Sequence, residues 1–600
     1  MCGILGLITA NTEKYFSKFD KSLDLLTHRG PDYRGVWKDK NIILGHRRLS
    51  IIDVSKLGNQ PMIDKKSNSI LIFNGEIYNY KELAQELIGL GYKFISNSDT
   101  EVLLYSLIEW GTKAIPKLNG MWAFAYWSLN ENKLIISRDR FGVKPLYFYK
   151  QNMDFVFASE PKAILNLFTD CKKINEDVFK DFIVNSSLYN KGKSFYHNIE
   201  VFPSAHYGIY NLHTKKLELH RFWDYPNELN HNLTEKLAIE EFTYLLEQSV
   251  KLRLRSDVPV AASLSGGLDS TAILAGTNSL LPKTINSYTS IYEKKYYDEY
   301  KWAQKASDLL NSKLIPVEAK SNNWIKTLKK IVWHMDGPGY SPAVYPLWNL
   351  VKKAKSDGVK VILDGQGADE ALAGYNQYMT YKNLFNQTFF LSNNGFTSKL
   401  GLMIKFSFPK LFNFYKKKIG IGSFLLKKDN VFSNFDEKKN KNSSIKDILQ
   451  KDHSLDILPG LLHYGDSISM AHGVEIRNPF LDYRLVEWIF KLPENLLFNK
   501  NQSKWVLREY LRNKNLKLIA DRKKKDGYST PVKYWINSLS TSEKESYLLS
   551  NNGPIAEWFD KKKIQKLLKK NQKKNTISEF YLYKFISAQV WINQCIESND

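Results

Sequence analysis

From Met1 to about His206 the apolar residues come in short runs broken by polar turns, as at Ile70–Phe73, Trp122–Trp127 and Lys133–Ser137. Runs of that length, bounded by turn formers, predict strands. Tyr80–Leu90 and Thr100–Trp110 interrupt the rhythm with helical spacing. Together they predict sheets layered with helices. Between Tyr207 and Leu233 the chain turns polar and histidine-dotted, which places a boundary near residue 215 and divides the chain into units 1–215 and 216–600. Beyond it Phe242, Leu245, Leu246, Val250 and Leu254 recur at helical spacing, predicting an amphipathic helix. Val258–Leu264 and Val359–Leu363 then read as buried parallel strands, so the second unit is α/β.

The chain has 600 residues, of which 43% are hydrophobic and 14% aromatic, enough for more than one packed core. It contains no apolar run of about 18 residues and no leader-like N-terminus, so we expect a cytoplasmic protein without a transmembrane segment. The three cysteines, Cys2, Cys171 and Cys595, are too few and too scattered for a disulfide framework or a thiolate metal site. A net charge of +24 raises the question of a nucleic-acid partner. The excess is dispersed lysine, without an RNA-binding signature or zinc finger, so no such partner is expected. One Lys-rich insertion, about 376–451, contains the basic aromatic run Lys405–Lys418. It reads as a helical insertion packing on its own domain, with an anionic membrane surface as the alternative.

Chemistry enters at Cys2. Removal of Met1 would leave one residue with a thiol and a free α-amino group, whose pKa values of about 8.5 and about 7.7 to 8.0 let the amine act as base for the thiol. Downstream lie four polar turns: His28–Asp32, Gly45–Ser50, Phe73–Asn79 and Ser98–Glu101. With Cys2, these turns resemble the glutaminase domain of class II amidotransferases, which use an N-terminal nucleophile. The resemblance implies a four-layer αββα sandwich in which Cys2 attacks the side-chain amide of glutamine. A tetrahedral intermediate needs donors at its oxyanion, which the Asn74 amide and the Gly75 N–H could supply, and glycine lets the backbone approach closely. By the resemblance Arg48 takes the substrate carboxylate, and Asp99 its ammonium, with Glu76 beside it.

A second constellation follows the strand ending at Leu264: Ser265-Gly266-Gly267-Leu268-Asp269-Ser270, then a helix from Thr271. Strand, glycine turn and helix form a phosphate cradle, with Ser265 and Ser270 as added donors and Asp269 placed to hold Mg²⁺. The chain has no Walker A ending. Asp364-Gly365-Gln366-Gly367-Ala368-Asp369 repeats the logic after the second strand, making Asp369 the second Mg²⁺ ligand. The hexapeptide resembles the pyrophosphate (PP) loop of enzymes that split ATP between its α- and β-phosphates. Together with Asp466–Asp482, Lys504–Arg508 and Arg522–Pro531, it resembles glutamine-dependent asparagine synthetases over most of the chain.

That resemblance implies a PP-loop adenylation domain with a parallel, five-stranded-type sheet and a helical C-terminal part. It implies an ATP site at Leu264–Gly267, Asp269, Ser270, Ser290, Gly365 and Lys504, with Gln366, Glu475 and Arg477 shaping the acceptor site. Met470 and His472 read as packing residues. The implied reaction consumes glutamine, Mg-ATP and a carboxylate and yields an amide, AMP and diphosphate, with L-aspartate as first choice of acceptor. An ammonia passage and a homodimer are further implications. One departure stands out: the family loop usually reads Ser-Gly-Glu-Gly, and an amide such as Gln366 cannot accept a proton as a carboxylate does. That leaves open another acceptor, such as a uronic acid of surface-glycan synthesis. From a different class, a non-catalytic basic binding or regulatory protein is the remaining alternative.

Overall fold

A computed structural model describes residues 2–185, 192–293, 299–382, 444–499, 502–522, 530–549, 554–571 and 576–597. Residues 383–443 of the Lys-rich insertion and 523–529 of the Arg522–Pro531 segment lie outside these.

The strands of the first unit are β1 (Gly3–Ile8), β2 (Tyr33–Lys38), β3 (Ile42–Arg48), β4 (Met62–Asp64), β5 (Ser69–Ile77), β6 (Gly120–Ser128), β7 (Lys133–Arg138), β8 (Tyr147–Gln151), β9 (Asp154–Ala158), β10 (Glu200–Val201), β11 (His206–Asn211) and β12 (Lys216–Arg221). They form two antiparallel six-stranded sheets, ordered β10-β8-β9-β1-β3-β2 and β12-β11-β7-β6-β5-β4. Ile4, Ile8, Ile42 and Leu44 of one sheet pack against Ile70, Ile72, Ala123 and Ile136 of the other, forming the inner core. Outer faces are covered by α1 (Thr12–Asp24), α4 (Pro161–Leu167) and α5 (Glu176–Asn185) on one side and by α2 (Tyr80–Gly89) and α3 (Asp99–Trp110) on the other. This is the αββα sandwich. Both strands and helices stand where the hydropathy pattern predicts them, to within a few residues. The boundary expected at residue 215 falls in the turn of the β11–β12 hairpin, so the sheet extends past it to Arg221.

The second unit opens with α6 (Glu235–Arg253), whose Phe242, Leu246 and Val250 are buried. Its sheet comprises β13 (Val260–Ser263), β14 (Ser287–Ile291), β15 (Leu314–Glu318), β16 (Val361–Leu363) and β17 (Glu475–Arg477), all parallel, in the order β15-β14-β13-β16-β17. The chain winds outward from β13 through β14 to β15, then returns to place β16 on the other side of β13. That reversal makes a topological switch point between β13 and β16, where ligands of open α/β sheets bind beyond the carboxyl ends of the strands. The two glycine loops foreseen in the sequence sit there. Helix α7 (Leu268–Asn278) starts three residues earlier than the expected Thr271, because Gly267 is its N-cap. Among the described residues no helix is long and apolar enough to cross a membrane.

Candidate functional site

The first centre lies where β1 and β5, from opposite sheets, come together. Cys2 is buried; its backbone N donates to Asn74 Oδ1 at 3.0 Å, and its carbonyl accepts from Arg29 Nε at 3.1 Å. With Oδ1 so engaged, Asn74 Nδ2 makes only a long 3.5 Å contact to Ser159 Oγ and remains the group able to donate. Gly75 packs so tightly on β6 that a Cβ there would lie 2.0 Å from the Met121 carbonyl oxygen. Burial pushes the Cys2 thiol up, while the chain N-terminus, the Leu49 amide and the Arg48 charge pull it down.

Arg48, at the end of β3, donates to the Ser55 carbonyl at 2.6 Å, to Asn59 Oδ1 at 2.9 Å and to the Asp53 carbonyl. These bonds fix its guanidinium against the 52–59 loop. Asp99 opens α3 and accepts from the Ile77 N–H at 2.9 Å. Burial raises its carboxyl to about 6. Glu76, also buried, is raised well above the carboxylate range by burial and by the neighbouring charges of Glu475 and Asp99. Cys2, Asn74, Gly75, Glu76, Arg48 and Asp99 therefore surround one buried centre.

The second centre is a cavity of about 600 Å³ at the switch point. Leu264, Ser265, Gly267, Asp269, Ser270, Ser290, Gly365, Gln366 and Asp369 line it, nine residues anticipated from sequence. The turn is internally braced: Ser270 Oγ accepts from the Ser265 N–H at 3.2 Å, and Ser265 Oγ from the Gly267 N–H at 3.3 Å. Gly266 adopts φ +69°, and a Cβ there would lie 2.2 Å from the Trp302 carbonyl carbon. Lys504 does not line the cavity, yet its ammonium bonds Asp269 and stands 2.5 Å from Asp369 Oδ1. Two carboxylates thus converge on one cation. Gln366 lines the cavity, and its backbone N donates to Asp364 Oδ1 at 3.1 Å.

Glu475 and Arg477, expected to shape the acceptor site, stand elsewhere. The cavity is lined by their neighbours Ile476 and Asn478, while Arg477 bonds Glu475 at 2.5 Å and faces Glu76 of the first unit at 3.6 Å. In a three-residue strand alternate side chains point to opposite faces, and the sequence does not say which face meets the cavity. Met470 is fully buried and His472 packs edge-on against Trp348, as expected of packing residues.

Sequence reasoning missed three features. Gly374 is one: a Cβ there would lie 1.9 Å from Asp369 Oδ1 and 2.1 Å from Lys504 Cε, so the charged trio requires glycine. Lys144 is buried, lines the cavity and pairs with Asp466 at 3.3 Å. Arg29 is the third, donating to the Cys2 carbonyl, to Glu160 at 2.9 Å and to Asp466 at 2.8 Å. A buried ionic chain therefore runs from the backbone of Cys2 to the cavity wall.

A buried thiol at residue 2 of an αββα sandwich, joined to a switch-point cavity in a parallel sheet, is the arrangement of a glutamine amidotransferase coupled to an ATP-using domain. Residues 1–223 match the family profile described as glutamine amidotransferase domain, and residues 241–593, more than half of the chain, match that described as asparagine synthase. The chain belongs to the asparagine synthase family, and is a glutamine-dependent amidotransferase of that family. It is 29% identical over 593 residues to Asparagine synthetase (glutamine-hydrolyzing) 1 of Bacillus subtilis (strain 168), covering 91% of each chain. Asparagine synthetase (glutamine-hydrolyzing) 3 of the same organism is 28% identical, over 95% of this chain and 93% of that one. Amidase chry2 of Gibberella zeae is 27% identical, over 89% of this chain and 90% of that one.

Proposed function

We propose that the chain transfers the amide nitrogen of glutamine to a carboxylate activated as its acyl-adenylate, with L-aspartate as acceptor and L-asparagine as product. The observation that carries this reading is the meeting of Asp269, Asp369 and Lys504 beside the Ser265–Ser270 turn, in the same body as the Cys2–Asn74 centre.

In the first centre the Cys2 α-amine, freed by loss of Met1, takes the thiol proton, and sulfur attacks the glutamine amide carbon. Asn74 Nδ2 and the Gly75 N–H stabilise the oxyanion. The α-ammonium returns its proton to the leaving nitrogen, ammonia departs, and water then cleaves the thioester to glutamate. Arg48 holds the substrate carboxylate, and Asp99 with Glu76 its ammonium.

In the second centre the acceptor carboxylate attacks the α-phosphorus of ATP, breaking its bond to the β-phosphate. Turn amides at 265–267 and Lys504 hold the departing diphosphate. Asp269 and Asp369 suit Mg²⁺, which is usually held by one or two carboxylates together with phosphate oxygens and supplies charge neutralisation to the leaving group. Ammonia attacks the acyl carbon, releasing AMP and the amide. Similarity to asparagine synthetases over nine-tenths of the chain favours aspartate. Gln366 favours a second reading, a uronic acid or another carboxylate, because it offers an amide where the family loop has a carboxylate.

Purified enzyme given amide-¹⁵N glutamine, ATP, Mg²⁺ and either aspartate or a uronic acid tests the proposal. Labelled asparagine with stoichiometric AMP is the expected result. AMP formation with the uronic acid alone would replace aspartate by the second reading, and ADP as the nucleotide product would refute adenylation.

A further inference from the structure

Strand β17 carries alternate residues to two different places: Ile476 and Asn478 line the nucleotide cavity, whereas Glu475 and Arg477 enter the first unit beneath Glu76. Arg477 is fully buried and firmly held. Its Nη1 donates to the carbonyls of Arg253 at 2.8 Å and Arg255 at 2.6 Å, its Nε to Glu475, and its guanidinium lies over the Tyr78 ring at 5.4 Å. The remaining nitrogen, Nη2, faces Glu76 Oε2 at 3.6 Å, and neither atom has a hydrogen-bond partner although Glu76 is only 4% exposed. The two groups stand within ion-pair distance but make no hydrogen bond. That leaves the lone pairs of Glu76 Oε2 available for a third group, and Glu76 lies two residues from Asn74, whose side chain holds Cys2.

We propose that Arg477 of the second unit is a positioning residue of the glutamine site, facing Glu76 so as to favour its ionised form as an acceptor for the substrate ammonium. The proposal rests on the reading of Cys2 as the glutaminase nucleophile. It assigns to Arg477 a role in the other half of the molecule from the acceptor site that the sequence suggested.

The charges around Glu76 give the role a sign. Facing it are Glu475 and Arg477 from β17, Asp99 from α3 and the chain N-terminus before β1; Arg253 of α6 lies across the Tyr78 ring. Glu475 raises the proton affinity of both Glu76 and Asp99, and Arg477 lowers it. Substrate binding needs these groups ionised, so neutralising Arg477 must move the acidic limb of glutamine turnover to higher pH. Neutralising Glu475 must move it to lower pH. A merely structural contact predicts no such opposed pair.

The test is the pH profile of kcat/KM for glutamine hydrolysis in the full-length enzyme, with ammonium-dependent AMP formation measured in parallel. Arg477→Gln is expected to shift the acidic limb upward by about one pH unit or more, a loss of about tenfold at a pH below the new limb. It should raise KM more than it lowers kcat, and Arg477→Lys should largely restore the profile. Glu475→Gln is expected to shift the limb downward, and it carries the test alone should Arg477→Gln not fold. Ammonium-dependent AMP formation should stay within about threefold, because neither side chain lines the cavity. Limbs that stay in place in both variants would overturn the proposal. So would a fall of ammonium-dependent activity in step with glutamine hydrolysis, which would return Arg477 to the acceptor site. A native enzyme that forms AMP from ammonium yet hydrolyses no glutamine would remove the underlying glutaminase reading, and the proposal with it.

Discussion

Replacing Lys504 by Met tests whether Asp269 and Asp369 share a cation site. The Lys504 ammonium stands 2.5 Å from Asp369 Oδ1 and bonds Asp269 as well, so a metal ion taken up by both carboxylates must first displace it. Lys504 is only 3% exposed and the two aspartates 16% and 15%, so solvent screens these bonds weakly. Hydrogen bonds between charged groups contribute about 1.5 to 3 kcal/mol each. Two are broken, and the displaced ammonium recovers part of their energy from water or phosphate. A net cost of about 3 kcal/mol corresponds to about 100-fold in Kd. Titration with Mn²⁺ in the absence of nucleotide, followed by electron paramagnetic resonance, should therefore show tighter binding to Lys504→Met than to the native chain, by about 10- to 100-fold. Adding Asp369→Asn should abolish the gain, and AMP formation should fall in both variants. Equal Mn²⁺ affinity in the native and Lys504→Met chains would refute the shared site.

Two further expectations separate the centres. The role proposed for Asp99, whose carboxyl burial raises to about 6, requires it to be ionised when it accepts the substrate ammonium. On that basis kcat/KM for glutamine hydrolysis should fall by at least about tenfold per unit below pH 6, whereas a level profile down to about pH 4.5 would contradict the role. Gly266→Ala would bring a Cβ to 2.2 Å from the Trp302 carbonyl carbon at φ +69°, strain of about 1 to 3 kcal/mol from the dihedral alone. Calorimetric titration should show ATP binding lost while glutamine hydrolysis persists; parallel loss of both would contradict the assignment of the turn.

What the sequence made legible was local. Ser265–Ser270 could be placed because strand, glycine turn and helix are contiguous, and Gly266 has the positive φ such a turn demands. The αββα layering was implied by family resemblance rather than by periodicity, which gave only strands and helices in alternation. Long-range pairing left no local trace. Arg29 and Asp466 are 437 positions apart, and nothing in the spacing of either shows that one guanidinium joins the Cys2 carbonyl to the wall of the switch-point cavity. Lys144 likewise finds its buried partner, Asp466, in the other unit. For Glu475 and Arg477 the motif was visible but its direction was not, since three residues of strand cannot reveal which face meets which site.

The most direct measurement of the two-centre scheme is Cys2→Ala assayed with each nitrogen source. With glutamine, neither glutamate nor amide product should form; with ammonium salt, amide and AMP should form at an undiminished rate, because the switch-point cavity proposed for adenylation lies on another sheet. Loss of both activities together would contradict the scheme, as would mass spectrometry showing Met1 still in place on active enzyme.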